Sequence, residues 1–347
     1  MWTQEKRSEC STVPCRVRRD SAPSGAVRSL WAPDAALTKG ATFVAPRCAT
    51  EPVPQADTDR TPTIRRRMSD TMSTEAAQAL VPALREAIRE AASLALPFFR
   101  SGAQTTARTW SKAGGSPVTE ADVAVDTFLK IRLSALLPKA AWLSEETSDD
   151  AIRLGSDLVW IVDPIDGTRA FLTGHPDWSI SVALLSHGQP VIGFVHAPVS
   201  DRFYEAVAGA GATCNGEPLS VSRQARLAGA RVTGPKPMID KLARGAVAQG
   251  GAADVDALDF HIVPRVPSLA LRVARVAEGS IDIGLVSSDA RDWDLAGADL
   301  LLREAGGSVS DLTGRATTYN RTDPVHGALI AMSDGLRSDV VAALAGA

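Results

Sequence analysis

Asp163 and Asp166 stand three residues apart in Asp163-Pro164-Ile165-Asp166-Gly167-Thr168. The apolar run Leu158-Val159-Trp160-Ile161-Val162 precedes them and predicts a buried strand. Two carboxylates thus leave one strand end, with Pro164 stiffening the backbone between them and Gly167 allowing a tight turn. Hard anionic oxygens held this way suit Mg²⁺, which keeps open positions for substrate phosphate. Asp-Gly alone marks only a turn. The rest of the chain, however, supplies further acids at element junctions: Asp122, Glu145 and Asp294. Phosphate monoester hydrolysis is very slow without a catalyst. A pair of Mg²⁺ ions can neutralise the phosphoryl oxygens and generate a nucleophile from water. Asp122, Glu145, Asp163, Asp166 and Asp294 are the carboxylates on offer to such a pair.

Competing chemistries find little support. Cys214 is isolated in a Thr-Cys-Asn turn, no Ser occupies a Gly-x-Ser-x-Gly elbow, and none of the five His has zinc-like spacing. The elements that must carry the acids follow from periodicity. Residues 73–99 predict a long helix opened by Ser73 and Glu75. Thr119 reads as the N-cap of a helix over 120–137 that holds Asp122 in its first turn. Strands are expected at 158–162, 178–186, 190–196 and 202–207, joined by short antiparallel turns. Beyond them come strands near 230–233, 259–263, 281–286 and 327–331. Helices alternate with these near 236–247, 267–278, 292–305 and 334–345. Asp292 is the expected N-cap of helix 292–305, leaving Asp294 free. The class is α+β, with two sheets and helices between and outside them.

Composition sets the frame. The chain has 347 residues, is 45% hydrophobic and carries a net charge of −3, so nothing overall favours a nucleic-acid polymer as partner. Residues 1–67 hold 12 Lys and Arg against 7 Asp and Glu, while the remainder has 25 against 33. That first segment, rich in Pro, Ser, Thr, Ala and Arg, is expected to be a disordered extension preceding a domain over 68–347. Deleting it should leave activity intact. Only Cys214 lies in the domain, which fits a reducing, cytoplasmic setting. No apolar run is long enough to span a bilayer, and the N-terminus lacks an apolar signal core.

Ser144-Glu145-Glu146, Trp160 through Thr168, and Trp293-Asp294-Leu-Ala-Gly-Ala-Asp resemble the motifs of the inositol monophosphatase superfamily of Mg²⁺-dependent, lithium-sensitive phosphatases. The resemblance covers about residues 73–345 and implies a layered α-β-α-β-α sandwich. It further implies an N-terminal α+β subdomain to about residue 220 and a C-terminal α/β subdomain beyond. Two or three Mg²⁺ would be held by Glu145, Asp163, the Ile165 carbonyl, Asp166 and Asp294. Asp122 and Thr168, with Glu145, would position and activate the attacking water. Gly167 and Thr168 would cradle the phosphate. Lys112 matches a basic residue that often precedes the Val-Thr-x-x-Asp segment. A homodimer is a further expectation.

The substrate is read from smaller differences. Inositol monophosphatases place an acid seven positions before the Trp-Asp aspartate. Here that position is Ser287, with Asp289 out of register. The segments Gly193-Phe-Val-His196-Ala-Pro198 and Pro267-Ser268-Leu-Ala-Leu-Arg272 are similar to those of bacterial 3'(2'),5'-bisphosphate nucleotidases. By that likeness Ser268 and Arg272 would meet the nucleotide, Arg272 at a second phosphate. The expected reaction is removal of the 3'-phosphate of 3'-phosphoadenosine 5'-phosphate. Inositol phosphate, histidinol phosphate and fructose bisphosphate are the alternatives. A phosphate-binding relative without activity is the non-enzyme alternative.

Overall fold

A computed structural model describes residues 71–345 except 113; the predicted extension over 1–67 lies outside the described residues. Helix α1 (Thr74–Ala95) starts where the Ser73 hydroxyl accepts the Ala76 N–H. The predicted run to residue 99 breaks earlier, because Pro97 turns the chain into a 3₁₀ turn at Leu96–Phe98. A two-stranded hairpin follows, β1 (Thr109–Ser111) against β2 (Pro117–Thr119). Helix α2 (Glu120–Leu136) opens on the predicted Thr119 cap.

Next comes a seven-stranded sheet whose spatial order is its chain order. Its strands are β3 (Ala141–Ser144), β4 (Leu158–Asp166), β5 (Ser179–Ser186), β6 (Gln189–Ala197), β7 (Arg202–Val207), β8 (Gly211–Cys214) and β9 (Glu217–Pro218). Every neighbouring pair is antiparallel except β3 and β4, which run parallel. Between β4 and β5 the short helix α3 (Thr168–Thr173) is inserted.

The rest of the chain forms β10 (Arg231–Thr233), α4 (Lys236–Ala248), β11 (His261–Ile262), α5 (Leu269–Ala277), β12 (Ile283–Val286), α6 (Asp292–Glu304), β13 (Gly307–Asp311), β14 (Leu329–Ser333) and α7 (Arg337–Ala345). Five of these strands make a mixed sheet in the order β11-β10-β12-β14-β13.

Strand alternation divides the core into layers. Leu143, Val159, Ile161, Ala183 and Val195 point to one face of the large sheet, against α5 and α6. Leu329 and Ala331 of the second sheet meet the same helices from the other side. Trp160, Val162, Ile180, Val182 and Phe194 point the opposite way, onto α1 and α2. Ile283, Leu285, Ile330 and Met332 cover the outer pair, α4 and α7. The fold is therefore an α-β-α-β-α sandwich. Phe171 of α3 packs edge-on against Trp178 at 5.0 Å and near Phe99, which anchors α3 to the large sheet. Among the described residues no helix is long and apolar enough to cross a membrane.

Candidate active site

Because β3 and β4 are parallel and adjacent, they deliver Glu145 and Asp163 to the same edge of the sheet. The Glu145 N–H donates to the Val162 carbonyl at 3.3 Å. The β4–β5 register slips between Asp163 and Asp166, a bulge that re-aims side chains at a strand end. Asp163 Oδ1 accepts the Ile165 N–H at 3.1 Å. Gly167 has φ +90, a conformation that strains any other residue, and a β-carbon there would press on Asp177 and Ser268 at 3.3 Å.

Three helix starts converge on this edge. Asp166 sits at the N-terminus of α5, accepting the Ser268 hydroxyl at 2.5 Å and the N–H groups of Leu269 and Ala270 at 3.1 and 2.7 Å. At α2, Asp122 closes a capping box: its Oδ2 takes the Thr119 N–H and hydroxyl at 2.8 and 2.5 Å. Its Oδ1 is 3.4 Å from the Thr168 hydroxyl, which also lies 3.1 Å from the Ile165 carbonyl. Asp294 enters from α6.

At that helix the sequence expectation needs correction. Arg291, not Asp292, is the N-cap residue, and Asp294 Oδ2 accepts the Arg291 N–H at 2.6 Å. Asp292 instead turns inward, to His326 and to the Asn320 N–H. Asp294 therefore has a second duty, holding the helix start that aims it.

Asp163, Asp166 and Asp294 bring carboxylate oxygens within 4.8 Å of one another. Among the described residues none of the three forms an ion pair with Arg or Lys. Burial, then the charges of Glu145, Asp166, Asp294 and Asp122, holds Asp163 well above the ordinary carboxylate range. Asp294 is raised likewise by burial and by Asp166. Burial lifts Asp166 to about 6 despite its three donors, and lifts Asp122 to about 6 against the pull of Thr119. Buried like charges without counter-ions, on oxygen ligands alone, fit a hard divalent cation.

This repulsion has a thermodynamic signature. A buried carboxyl raised from 3.8 to about 6 makes the native state bind more protons than the unfolded chain across that window. Stability of the metal-free protein should therefore fall as pH rises through it. Its Tm should be higher near pH ~5 than near pH ~7.5, and Mg²⁺ should raise Tm more at the higher pH. A metal-free Tm independent of pH over this range, with no Mg²⁺ effect, would contradict the reading.

Glu145 does not join the trio. Lys112 Nζ holds its Oε1 at 2.8 Å and lies 2.7 Å from Glu146, whose carboxyl burial raises to about 7 against that ammonium. The loop carrying Glu145 is pinned to α2, where Asp126 accepts the Ser144 hydroxyl and, at 2.7 Å, that of Thr147.

A cleft of about 420 Å³ opens over the aspartates. Glu145, Asp163, Asp166, Gly167, Thr168 and Asp294 line it; Asp122 lies fully buried behind Thr168. Two residues expected at the substrate serve elsewhere. The Ser268 hydroxyl is taken up by Asp166 and by the Leu271 N–H of its own helix. Arg272 is buried and donates to the Val266 carbonyl twice and to the Leu285 carbonyl once. It borders a neighbouring recess of about 170 Å³, shared with Ser287 and Asp289. Sequence reasoning missed Arg169 and Arg265, both exposed on the cleft wall. Arg169 directly follows Thr168, so its position in the phosphate turn was a usable signal. Arg265, in a loop between Pro264 and Pro267, offered none.

Comparison with known proteins agrees with this geometry. The model of the inositol monophosphatase family matches residues 71–344. Inositol monophosphatase 3 of Solanum lycopersicum is 32% identical over 230 residues, 65% of this chain and 84% of that protein. The 3'(2'),5'-bisphosphate nucleotidase CysQ of Aggregatibacter actinomycetemcomitans is 32% identical over 222 residues, covering 61% and 78%. In structure, the extragenic suppressor protein suhB of Bartonella henselae superposes with a TM-score of 0.63 at 27% identity, over 77% of this chain and 98% of that one. With the match spanning the whole sandwich and every motif around the cleft, the chain belongs to the inositol monophosphatase family.

Proposed function

We propose that this phosphatase is Mg²⁺-dependent and removes the 3'-phosphate of 3'-phosphoadenosine 5'-phosphate, giving AMP and inorganic phosphate. The observation that carries the substrate is the cleft wall. Arg169 and Arg265 both face the aspartate-floored cleft, and neither makes an ion pair or side-chain hydrogen bond among the described residues. A substrate with one phosphate over the aspartates and a second anionic group at the rim would use both ends of this charge distribution. Arg265, rather than the internally satisfied Arg272, is then the residue for the second phosphate.

Asp163, Asp166 and Asp294 would hold the metal, with Glu145 joining on release from Lys112. Bound Mg²⁺ would neutralise the phosphoryl oxygens and acidify a water. The chain's own part is positional. Thr168 orients the water through its hydroxyl, and Asp122 Oδ1 behind it receives the proton. Water oxygen bonds to phosphorus and the ester bond to the 3' oxygen breaks; that oxygen takes a proton from solvent to leave as the hydroxyl of AMP, and Asp122 returns the water's proton to solvent. A second reading, inositol phosphate, draws on the recess where Asp289 sits beside Ser287, since a carboxylate there can accept polyol hydroxyls.

The test is kcat/KM for 3'-phosphoadenosine 5'-phosphate, 3'-AMP, inositol 1-phosphate, histidinol phosphate and fructose 1,6-bisphosphate. A preference of ~100-fold for the bisphosphate nucleotide is expected. Arg265→Ala should lower kcat/KM for it by roughly 10- to 100-fold, the loss of a charge-assisted bond, and leave 3'-AMP nearly unchanged. Preference for inositol 1-phosphate would overturn the nucleotidase reading, and no turnover of any ester would favour a binding-only relative.

A further inference from the structure

A chain of polar groups outside the cleft, buried at Arg153, Asp292 and His326, half-buried at Asn320 and reaching the surface at Asp149, joins the loop that begins at Glu145 to the start of α6. Arg153, 1% exposed, forks onto Asp149, with Nε and Nη2 at 2.6 and 2.7 Å from the two carboxylate oxygens. Its Nη1 reaches the Asn320 side-chain carbonyl at 2.8 Å and the Arg321 carbonyl at 3.0 Å. Asn320 returns its amide to the Arg153 carbonyl at 3.0 Å. Its own backbone N–H donates to Asp292 Oδ2 at 2.7 Å. Asn320 has φ +57, a conformation that asparagine tolerates better than most residues. The other oxygen of Asp292, fully buried, lies 2.7 Å from Nε2 of His326. The loop is then stitched to α6 by backbone: Asp292 N–H to the Pro324 carbonyl, and His326 N–H to that of Ala290.

Each member of this chain satisfies the next, so the assembly has one arrangement. None of Asp149, Arg153, Asn320, Asp292 and His326 lines the catalytic cleft. Yet Asp149 is four residues from Glu145, and Asp292 is two residues from Asp294. These are the two candidate ligands that come from separate elements and that repulsion among the carboxylates would drive apart.

We propose that the Asp149–Arg153–Asn320–Asp292–His326 chain is a positioning device that sets the Asp294 end of α6 against the Glu145 loop, and so fixes the affinity of the site for divalent metal. The inference rests on the metal reading given above. It makes His326 and Arg153 positioning residues, acting through Asp292 and Asn320 with no contact to substrate. Supports of this kind typically change metal affinity by roughly 10- to 100-fold when removed.

The experiment is calorimetric titration of the folded, metal-free protein with Mn²⁺ alone, paired with a thermal melt. His326→Leu should weaken Mn²⁺ binding by roughly 10- to 100-fold. At saturating metal, KM for the phosphate ester should stay within about twofold of the parent value. His326→Gln keeps a side-chain nitrogen that can donate to Asp292 and should recover most of the affinity. Should His326→Leu fail to fold, Arg153→Lys supplies the second probe: it keeps a charge for Asp149, loses the Asn320 bond, and should weaken Mn²⁺ by about 10-fold. Parental Mn²⁺ affinity in a folded His326→Leu or Arg153→Lys protein overturns the inference. Absence of Mn²⁺ binding by the parent protein itself overturns the metal reading, and the inference falls with it; the two failures are thus distinguishable.

Discussion

Asp163→Asn should lower Mg²⁺-dependent phosphate release by roughly 10³-fold or more, equivalent to about 4 kcal/mol of lost transition-state stabilisation. Asp163 is 1% exposed at the centre of the acid cluster, and among the described residues its carboxylate accepts one hydrogen bond, from the Ile165 N–H. An amide of the same shape keeps that bond through its carbonyl oxygen. What it removes is the charge that sits among Glu145, Asp166, Asp294 and Asp122. The metal-free variant should therefore be at least as stable as the parent near neutral pH, because a buried uncompensated charge is gone. Loss of activity with retained or higher Tm separates a metal-ligand role from a folding defect. An Asp163→Asn protein with near-parental Mg²⁺-dependent rates would remove the proposed site.

Gly193→Ala should lower Tm by about 5 °C, from an overpacking cost near 3 kcal/mol in a domain of this size. Strand β6 and helix α6 touch through backbone at this point. A β-carbon on Gly193 would lie 2.4 Å from the Gly297 carbonyl oxygen, and one on Gly297 would lie 3.0 Å from the Phe194 and Val182 carbonyls. No side chain can rotate away, so the helix must move off the sheet. Asp294 is one turn from Gly297 on that helix, so the same displacement should weaken Mg²⁺ binding. Differential scanning calorimetry with and without Mg²⁺ measures both effects. A parental Tm would mean that α6 is not seated on the sheet by this contact.

Much of this architecture was legible because local signals agreed with tertiary ones. Thr119 with Asp122 announced a helix start, and the cap forms as written. The apolar run before Asp163 became the central strand β4. Strands β5 to β7 follow their turn signals. The family motifs then located the acids, since their types and order are set by the chemistry. Shorter strands escaped notice: β8, β9 and β13 span two to five residues each, too few for alternation to stand out, and pair only through neighbours.

Where the site differs from what the sequence suggests, one cause recurs: sequence gives positions but not side-chain commitments. Asp292 has the residue type of an N-cap, yet His326, distant in sequence, competes for it, and Arg291 takes the cap position. Arg272 has the charge for a phosphate, yet its place on the inner face of α5 sends its donors to carbonyls. Glu145 is a ligand by motif, and in the metal-free protein its carboxylate is paired with Lys112. Arg265 was missed for the converse reason: nothing local marks a loop arginine as facing a cleft.

The central claim is that the aspartate cluster works as a metal-dependent phosphomonoesterase site. Its most direct test is release of inorganic phosphate from 3'-phosphoadenosine 5'-phosphate, with Mg²⁺ and then with excess chelator, on the same preparation. The account predicts turnover with Mg²⁺, its loss on chelation, and its return when Mg²⁺ is restored. Phosphate release that persists undiminished in chelator would contradict it.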